Sequence, residues 1–216
     1  MHFEVLVEDA SGKIVLDRIL EPILGPEGEK HTYRVHAYKG IGRLPRDLKG
    51  STDPSKRILL DRLPNILAGY GKSLPKGKAA VIVVVDLDDR SCTEFKHELK
   101  SALERCDPAP EVLFRIAVEE IESWLLGDPD AVKAAYPGAK ESVLSGYRQD
   151  SICGTWEKLA DALVQGGAQA LKKQGWVQIG RKKCEWAEKI APFLGVDRNR
   201  SKSFQVFRDG LRRLAG

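Results

Sequence analysis

The sequence has no long apolar run. None of its stretches approaches the ~18 consecutive apolar residues of a membrane span, so no transmembrane segment is expected among the 216 residues. The opening residues, MHFEVLVED, enter a strand pattern at once, without the basic and apolar regions of a signal peptide. The expected location is therefore the cytoplasm, with no membrane partner. Cysteine is scarce and scattered: Cys92, Cys106, Cys153 and Cys184 form no C-x-x-C pair and have no histidine at zinc-ligand spacing. They read as structural or incidental thiols of a reducing compartment. There is no internal repeat and no low-complexity tract. A P-loop is missing as well. EDASGKI, over 8–14, stands where such a loop would, but it lacks the first Gly and carries Ile14 where Ser or Thr would hold Mg²⁺.

What is present is the composition of an ordinary globular chain, 42% hydrophobic and 31% charged. The net charge of +4 is unevenly placed. Residues 170–216 carry twelve Lys/Arg against four Asp/Glu, a net of +8, which leaves −4 for the rest. A basic segment beside an acidic body fits either a polyanion-binding surface or a solvated helical face.

The strongest local signal is AAVIVVVDLDD, over 79–89. An unbroken run of small, mostly β-branched residues predicts a strand buried on both faces, as in a parallel sheet. Ligands of open α/β sheets bind beyond the carboxyl ends of such strands. Asp86 and Asp88 are two apart, so an extended backbone projects both to one side. Their repulsion calls for compensation, and a hard divalent cation with oxygen ligands supplies it.

Around this strand the pattern alternates. Strands are expected at 3–8, 32–38, 79–86 and 111–118. Helices are expected at 11–24, 55–69 (with a kink at Pro64) and 91–106, the last with Ser91 as N-cap and Glu94 three residues on. A further helix follows the fourth strand directly, through EEIESWLLG. This order predicts a parallel sheet with right-handed crossovers over residues 1–127. After a break at Asp128-Pro129, residues 128–216 show only helical patterns joined by Gly-rich turns, an α-helical, basic appendage packed on or beside the first part.

In a parallel sheet, Glu8 closes strand one. Asp86, Asp88 and Asp89 close strand three, and Glu119, Glu120 and Glu122 follow strand four. Three segments thus deliver carboxylates to one rim, a pattern suited to metal binding or acid/base chemistry. Asp89, Glu119 and Glu120 also suit helix N-termini, whereas Glu122, a turn further in and beside Trp124, is harder to explain as a cap.

The ordered set VLVEDASGK, RVHAYKGIGRLP, VVVDLDDR, FRIAVEEIESWLLGD and SKSFQVFRDGL resembles the TOPRIM superfamily and, within it, the bacterial domain-of-unknown-function family 4276. The resemblance implies a TOPRIM/Rossmann-like α/β fold with a parallel sheet of about four strands and flanking helices. It further implies a Mg²⁺- or Mn²⁺-dependent nuclease or related phosphotransferase. Glu8 would be the family's glutamate, with acid/base or metal-ligand work. Asp86 and Asp88 would be metal ligands, with Glu122 completing the catalytic set and Glu120 beside it as a further metal ligand. The resemblance also implies a partner ATPase and a role in anti-phage defence. The chain departs from the pattern in two places: Asp9 stands where Gly usually follows the glutamate, and Gly12 where nuclease branches often carry a second acid. Asp9 could substitute for that acid, though on a continuing strand it would point the other way, and Gly12 is the main support for the alternative of a non-catalytic adaptor module binding a partner protein.

Lys39 and Arg43, in the loop KGIGR after strand two, and Arg181, Lys182 and Lys183 in the basic segment are the candidate phosphate contacts for DNA or RNA. Lys13 stands where a helix N-terminus could receive an anionic substrate. His36, on strand two, reads as packed rather than catalytic. The tryptophans read as core, with Trp176, in QGWVQIGRKK, the one candidate for base stacking. Hydrolysis of a small phosphorylated molecule is a third reading, disfavoured by the basic segment.

Overall fold

A computed structural model describes residues 1–40, 42–45, 58–88, 90–151 and 154–216. Asp89, Cys153 and the expected helix start at Ser55 lie outside the described residues.

Four strands, β1 (His2–Val7), β2 (Thr32–Ala37), β3 (Ala79–Asp86) and β4 (Val112–Ala117), form one sheet in the order β2-β1-β3-β4, with every pairing parallel. All eight residues of β3 are buried. Its apolar run therefore marks an interior strand, the only place where both faces need apolar cover. Helices α1 (Ala10–Leu24), α2 (Leu59–Ser73) and α3 (Cys92–Glu104) are the crossovers. Strand alternation divides the core. Val5, Val7, Ile82 and Val84 pack with α1 on one face, while Leu6, Val81, Val83 and Val85 pack with α2 and α3 on the other. The chain leaves β1 for β2 on one side and returns to β3 on the other. The sheet order thus reverses between β1 and β3, the position at whose carboxyl ends open α/β sheets bind ligands.

The remaining helices are α4 (Glu122–Leu126), α5 (Pro129–Ala135), α6 (Glu141–Ser145), α7 (Thr155–Leu163), α8 (Gly167–Lys172), α9 (Trp176–Ile190) and α10 (Lys202–Ala215), with a 3₁₀ turn at Ala191–Phe193. They share the α1-side core: Trp124, Leu159, Trp186, Ile190, Phe204 and Phe207 join β1, β3 and α1 in one apolar cluster. Asp128-Pro129 is a helix start within that cluster. Asp128 caps α5 and Pro129 takes its first turn, where a missing N–H costs nothing. No helix among the described residues is long and apolar enough to cross a membrane. Cys92, Cys106 and Cys184 are free thiols.

Candidate active site

Each acid reaches the rim through local structure that the sequence sets up. β1 stops at Val7, and Asp9 turns its carboxylate onto the start of α1: Gly12 N–H donates to Oδ1 at 2.7 Å and the Ser11 hydroxyl to Oδ2 at 2.7 Å. Gly12 is required by close packing. A Cβ there would stand 2.6 Å from Val7 Cγ2 and 3.3 Å from Ile121 Cδ1, so no acidic side chain fits at that position. Glu8, between strand and cap, is half-buried, and the Asp86 N–H points to its Oε2 at 3.4 Å.

Asp86 ends β3 and is 6% exposed. The expectation that Asp88 shares its side fails, because the extended backbone does not continue. Leu87 and Asp88 both donate their N–H to the Glu119 carbonyl, Asp88 takes φ +50°, and the chain turns there. Asp88 is therefore exposed, and its charge still acts on Glu8. It lines a groove of about 850 Å³ with Arg43, Arg90, His97 and Arg105. Glu122 opens α4 and is fully buried. Its Oε1 accepts from the Ser11 hydroxyl at 3.3 Å. Its Oε2 lies 3.1 Å from Lys183 Nζ in an ion pair.

Glu119 and Glu120 do serve a helix N-terminus, but it is that of α7. Glu119 Oε2 accepts the N–H groups of Gly154 and Thr155. Glu120 Oε2 accepts the Thr155 hydroxyl at 3.1 Å and the Trp156 N–H at 3.2 Å. The other oxygen of Glu120 takes Lys183 at 3.1 Å. Glu120 is thus occupied on both sides, and metal binding there would have to displace Lys183.

Lys183 is placed differently from the expectation. It does not face outward as a phosphate contact. α9 packs on α1 and inserts its ammonium between Glu120 and Glu122. Lys182 pairs with Glu185 at 2.6 Å, while Arg181 is exposed. Much of the basic segment is likewise paired internally: Arg198 with Asp128, Arg212 with Asp197 and Lys189 with Glu185. Lys39 and Arg43 are exposed. Their loop is tied to the rim by the Gly40 N–H donating to the Glu8 carbonyl at 2.8 Å. Lys13 pairs with Asp17 at 2.7 Å and His36 with Glu4 at 2.5 Å. Ser11 and Lys183 are the members of the site that sequence patterns did not reveal in this role, and no local signal distinguishes them.

The electrostatics follow from burial. Loss of water pushes Asp86 well above the ordinary aspartate range, and the Glu8 charge adds to this. Glu8 rises to about 8 through burial and the charges of Asp9 and Asp88. Glu122 rises to about 7 through burial, against the pull of Lys183. Burial alone would lower Lys183, but Glu122, Glu120 and Asp86 outweigh it and hold the ammonium above its usual range. With all its acids ionised the site would carry more negative charge than its lysine offsets, and the raised carboxyls hold protons instead. All its donors are carboxylate oxygens, the set preferred by Mg²⁺ and Mn²⁺. Glu122 Oε2, whose contact is the Lys183 ammonium, is the oxygen such an ion would take. As they stand, however, no three acid, His or Cys side chains among the described residues converge closely enough to hold one.

Fold and site together define an α/β protein with a four-stranded, all-parallel sheet, flanking helices and a carboxylate cluster at the sheet's switch in strand order. The chain belongs to the family described as Domain of unknown function (DUF4276), whose model matches residues 7–212. Comparison with curated proteins and with solved structures gives no match.

Proposed function

We propose that this protein is a divalent-metal-dependent nuclease of TOPRIM type, with its centre at Glu8, Asp86, Asp88 and Glu122. One observation carries the reading. Buried Asp86 and Glu122 and half-buried Glu8, from three separate segments, lie at one carboxyl edge of the sheet, each with its carboxyl pushed above the ordinary range. Ionising acids arranged in this way costs stability, and acids perturbed by burial and like charges cluster at functional sites. The TOPRIM assignment is supported by the glutamate after β1 and the Asp-x-Asp after β3 on adjacent parallel strands.

Asp86 and Glu122, enclosed by the core, are suited to holding a Mg²⁺ or Mn²⁺ ion. Glu8 and Asp88 stand nearer solvent and are the carboxylates that can meet both ion and substrate. The bound ion would polarise a phosphodiester and make a water easier to deprotonate. Lys183 keeps Glu120 and Glu122 in place and offsets part of their charge. Lys39, Arg43 and Arg181, all exposed, would meet phosphates of DNA or RNA. A partner ATPase and a role in phage defence rest on the TOPRIM resemblance alone.

The adaptor reading has its own support. Gly12 leaves no room for a second acid, and the acids do not converge as they stand. Incubation with single- and double-stranded DNA and RNA, in Mn²⁺, Mg²⁺ or EDTA, separates the two. A nuclease cleaves in metal, and Asp86→Asn/Asp88→Asn abolishes cleavage while the chain stays folded. Cleavage retained in that variant excludes this centre.

A further inference from the structure

One large aromatic is left out of the core. Trp124, Trp156 and Trp186 are at most 6% exposed, but Trp176 is 79% exposed and its neighbour Val177 71%. Exposing an indole forgoes the burial that usually stabilises it. Trp176 is nevertheless held in place. It is the first residue of α9 and its ring meets that of Trp156 edge-on, with centroids 6.4 Å apart.

Trp176 is also tied to the acid site. The Trp156 backbone N–H donates to Glu120 Oε2, and Glu120 Oε1 takes Lys183. Trp176 and Lys183 lie seven residues apart on the same helix, which places them on one face about 10.5 Å apart. Between them on that face is Gly180, exposed, where a Cβ would meet nothing within 4 Å. Packing therefore does not require that glycine, and the helix surface there is bare. Exposed Lys173 stands three residues before the indole, and Lys172 Nζ lies 5.5 Å from the centroid of the Trp156 ring that Trp176 meets, so an anionic occupant is favoured over a neutral one.

We infer that Trp176 is a stacking platform for an unpaired base of single-stranded nucleic acid, with the strand running across Gly180 towards the acids. At a stacked rise of ~3.4 Å per nucleotide, the path holds about three nucleotides. A base inside a duplex has no free face to offer the indole, so the platform selects single strands or frayed ends. The inference rests on the nuclease reading for the direction of the strand, but its binding test does not need cleavage.

The test uses the full chain in EDTA with dodecathymidylate, and with a duplex of the same length. Only Trp176 is open to solvent, so quenching of tryptophan fluorescence reports on it. Dodecathymidylate should quench, and the duplex should quench far less at equal phosphate. By anisotropy of a labelled dodecathymidylate, Trp176→Ala should weaken binding ~10-fold, as expected for one lost base stack. Trp176→Phe should stay near the native affinity, and Gly180→Leu should weaken binding by blocking the path. Equal quenching by duplex and single strand overturns the inference. So does an unchanged affinity in Trp176→Ala, or the absence of any nucleic-acid quenching, which would leave Trp176 to a protein partner. Quenching without cleavage in Mn²⁺ would reject the nuclease and keep the platform, whereas cleavage without quenching would do the reverse.

Discussion

Asp86 and Asp128 are both buried aspartates, 6% and 2% exposed, and the protein treats them in opposite ways. At the start of α5, Asp128 accepts the Ala131 N–H at 3.2 Å, the Gly195 N–H at 2.8 Å and Arg198 Nε at 2.8 Å. Each oxygen there has a partner and the charge has its cation. At the end of β3, Asp86 shares one lysine with Glu122, Glu120 and Asp9, and its carboxyl is pushed well up. The fully buried Glu122 beside it leans on that same lysine, 3.1 Å from its Oε2, and its carboxyl is also raised. Burial alone therefore does not mark a functional acid. Asp128 joins two parts of the fold, while the rim stores a repulsion that the fold does not resolve.

Breaking each region should produce different failures. The largest effect is expected for Lys183→Met, which leaves Glu120 and Glu122 buried without their cation. Removing one partner of such a set costs about 3–5 kcal/mol, measurable by urea unfolding at pH 8 in EDTA. If the rim binds an ion, Mn²⁺ should recover part of that loss. Asp128→Ala should cost about 2–3 kcal/mol through the lost cap and the unpaired N–H groups and Arg198. Its response to Mn²⁺ should equal that of the unaltered protein. A matching response in the two variants would remove the distinction between the regions.

The smallest effect is a slope with pH. Glu8, Glu122 and Asp86 all have folded-state pKa values raised above their unfolded ones, near 4. The unfolded chain therefore loses these protons first. The stability they lend is fully present below about pH 4 and is lost as pH rises towards 8. Groups shifted the other way, such as Asp197, Asp209 and Glu185, finish titrating below this window. The metal-free protein should be less stable at pH 8 than at pH 6, by on the order of 2 kcal/mol for each net proton that the coupled rim holds and the unfolded chain has lost. Asp86→Asn should flatten that slope and raise stability at pH 8, since a neutral amide replaces a repelled charge. A slope that Asp86→Asn leaves unchanged would place the repulsion elsewhere.

The frame was legible in the sequence because its signals are local. The run from Ala79 to Val85 is apolar on both faces and can only be an interior strand. The Ser91 cap appears as expected, with the Glu94 N–H on its hydroxyl at 3.5 Å. That acids follow β1, β3 and β4 could be read once the strands were parallel. The details of the rim could not. Asp88 departs from the strand rule because the two N–H groups that turn the chain reach a carbonyl on another segment, that of Glu119. Glu119 and Glu120 cap a helix that begins some 35 residues later, and Lys183 enters the rim only because α9 packs against α1. Such pairings depend on tertiary packing and leave no periodicity or spacing in the chain. The same reason makes the basic segment misleading in one dimension, since many of its cations face acids that only the fold brings near.

The most direct test of the account is calorimetric titration of the metal-free protein with Mn²⁺ at pH 8, beside Asp86→Asn. The account predicts saturable binding with release of protons from the raised carboxyls, lost or severely weakened in Asp86→Asn. An absence of binding by folded protein, or binding that Asp86→Asn does not alter, would contradict a metal centre at this rim.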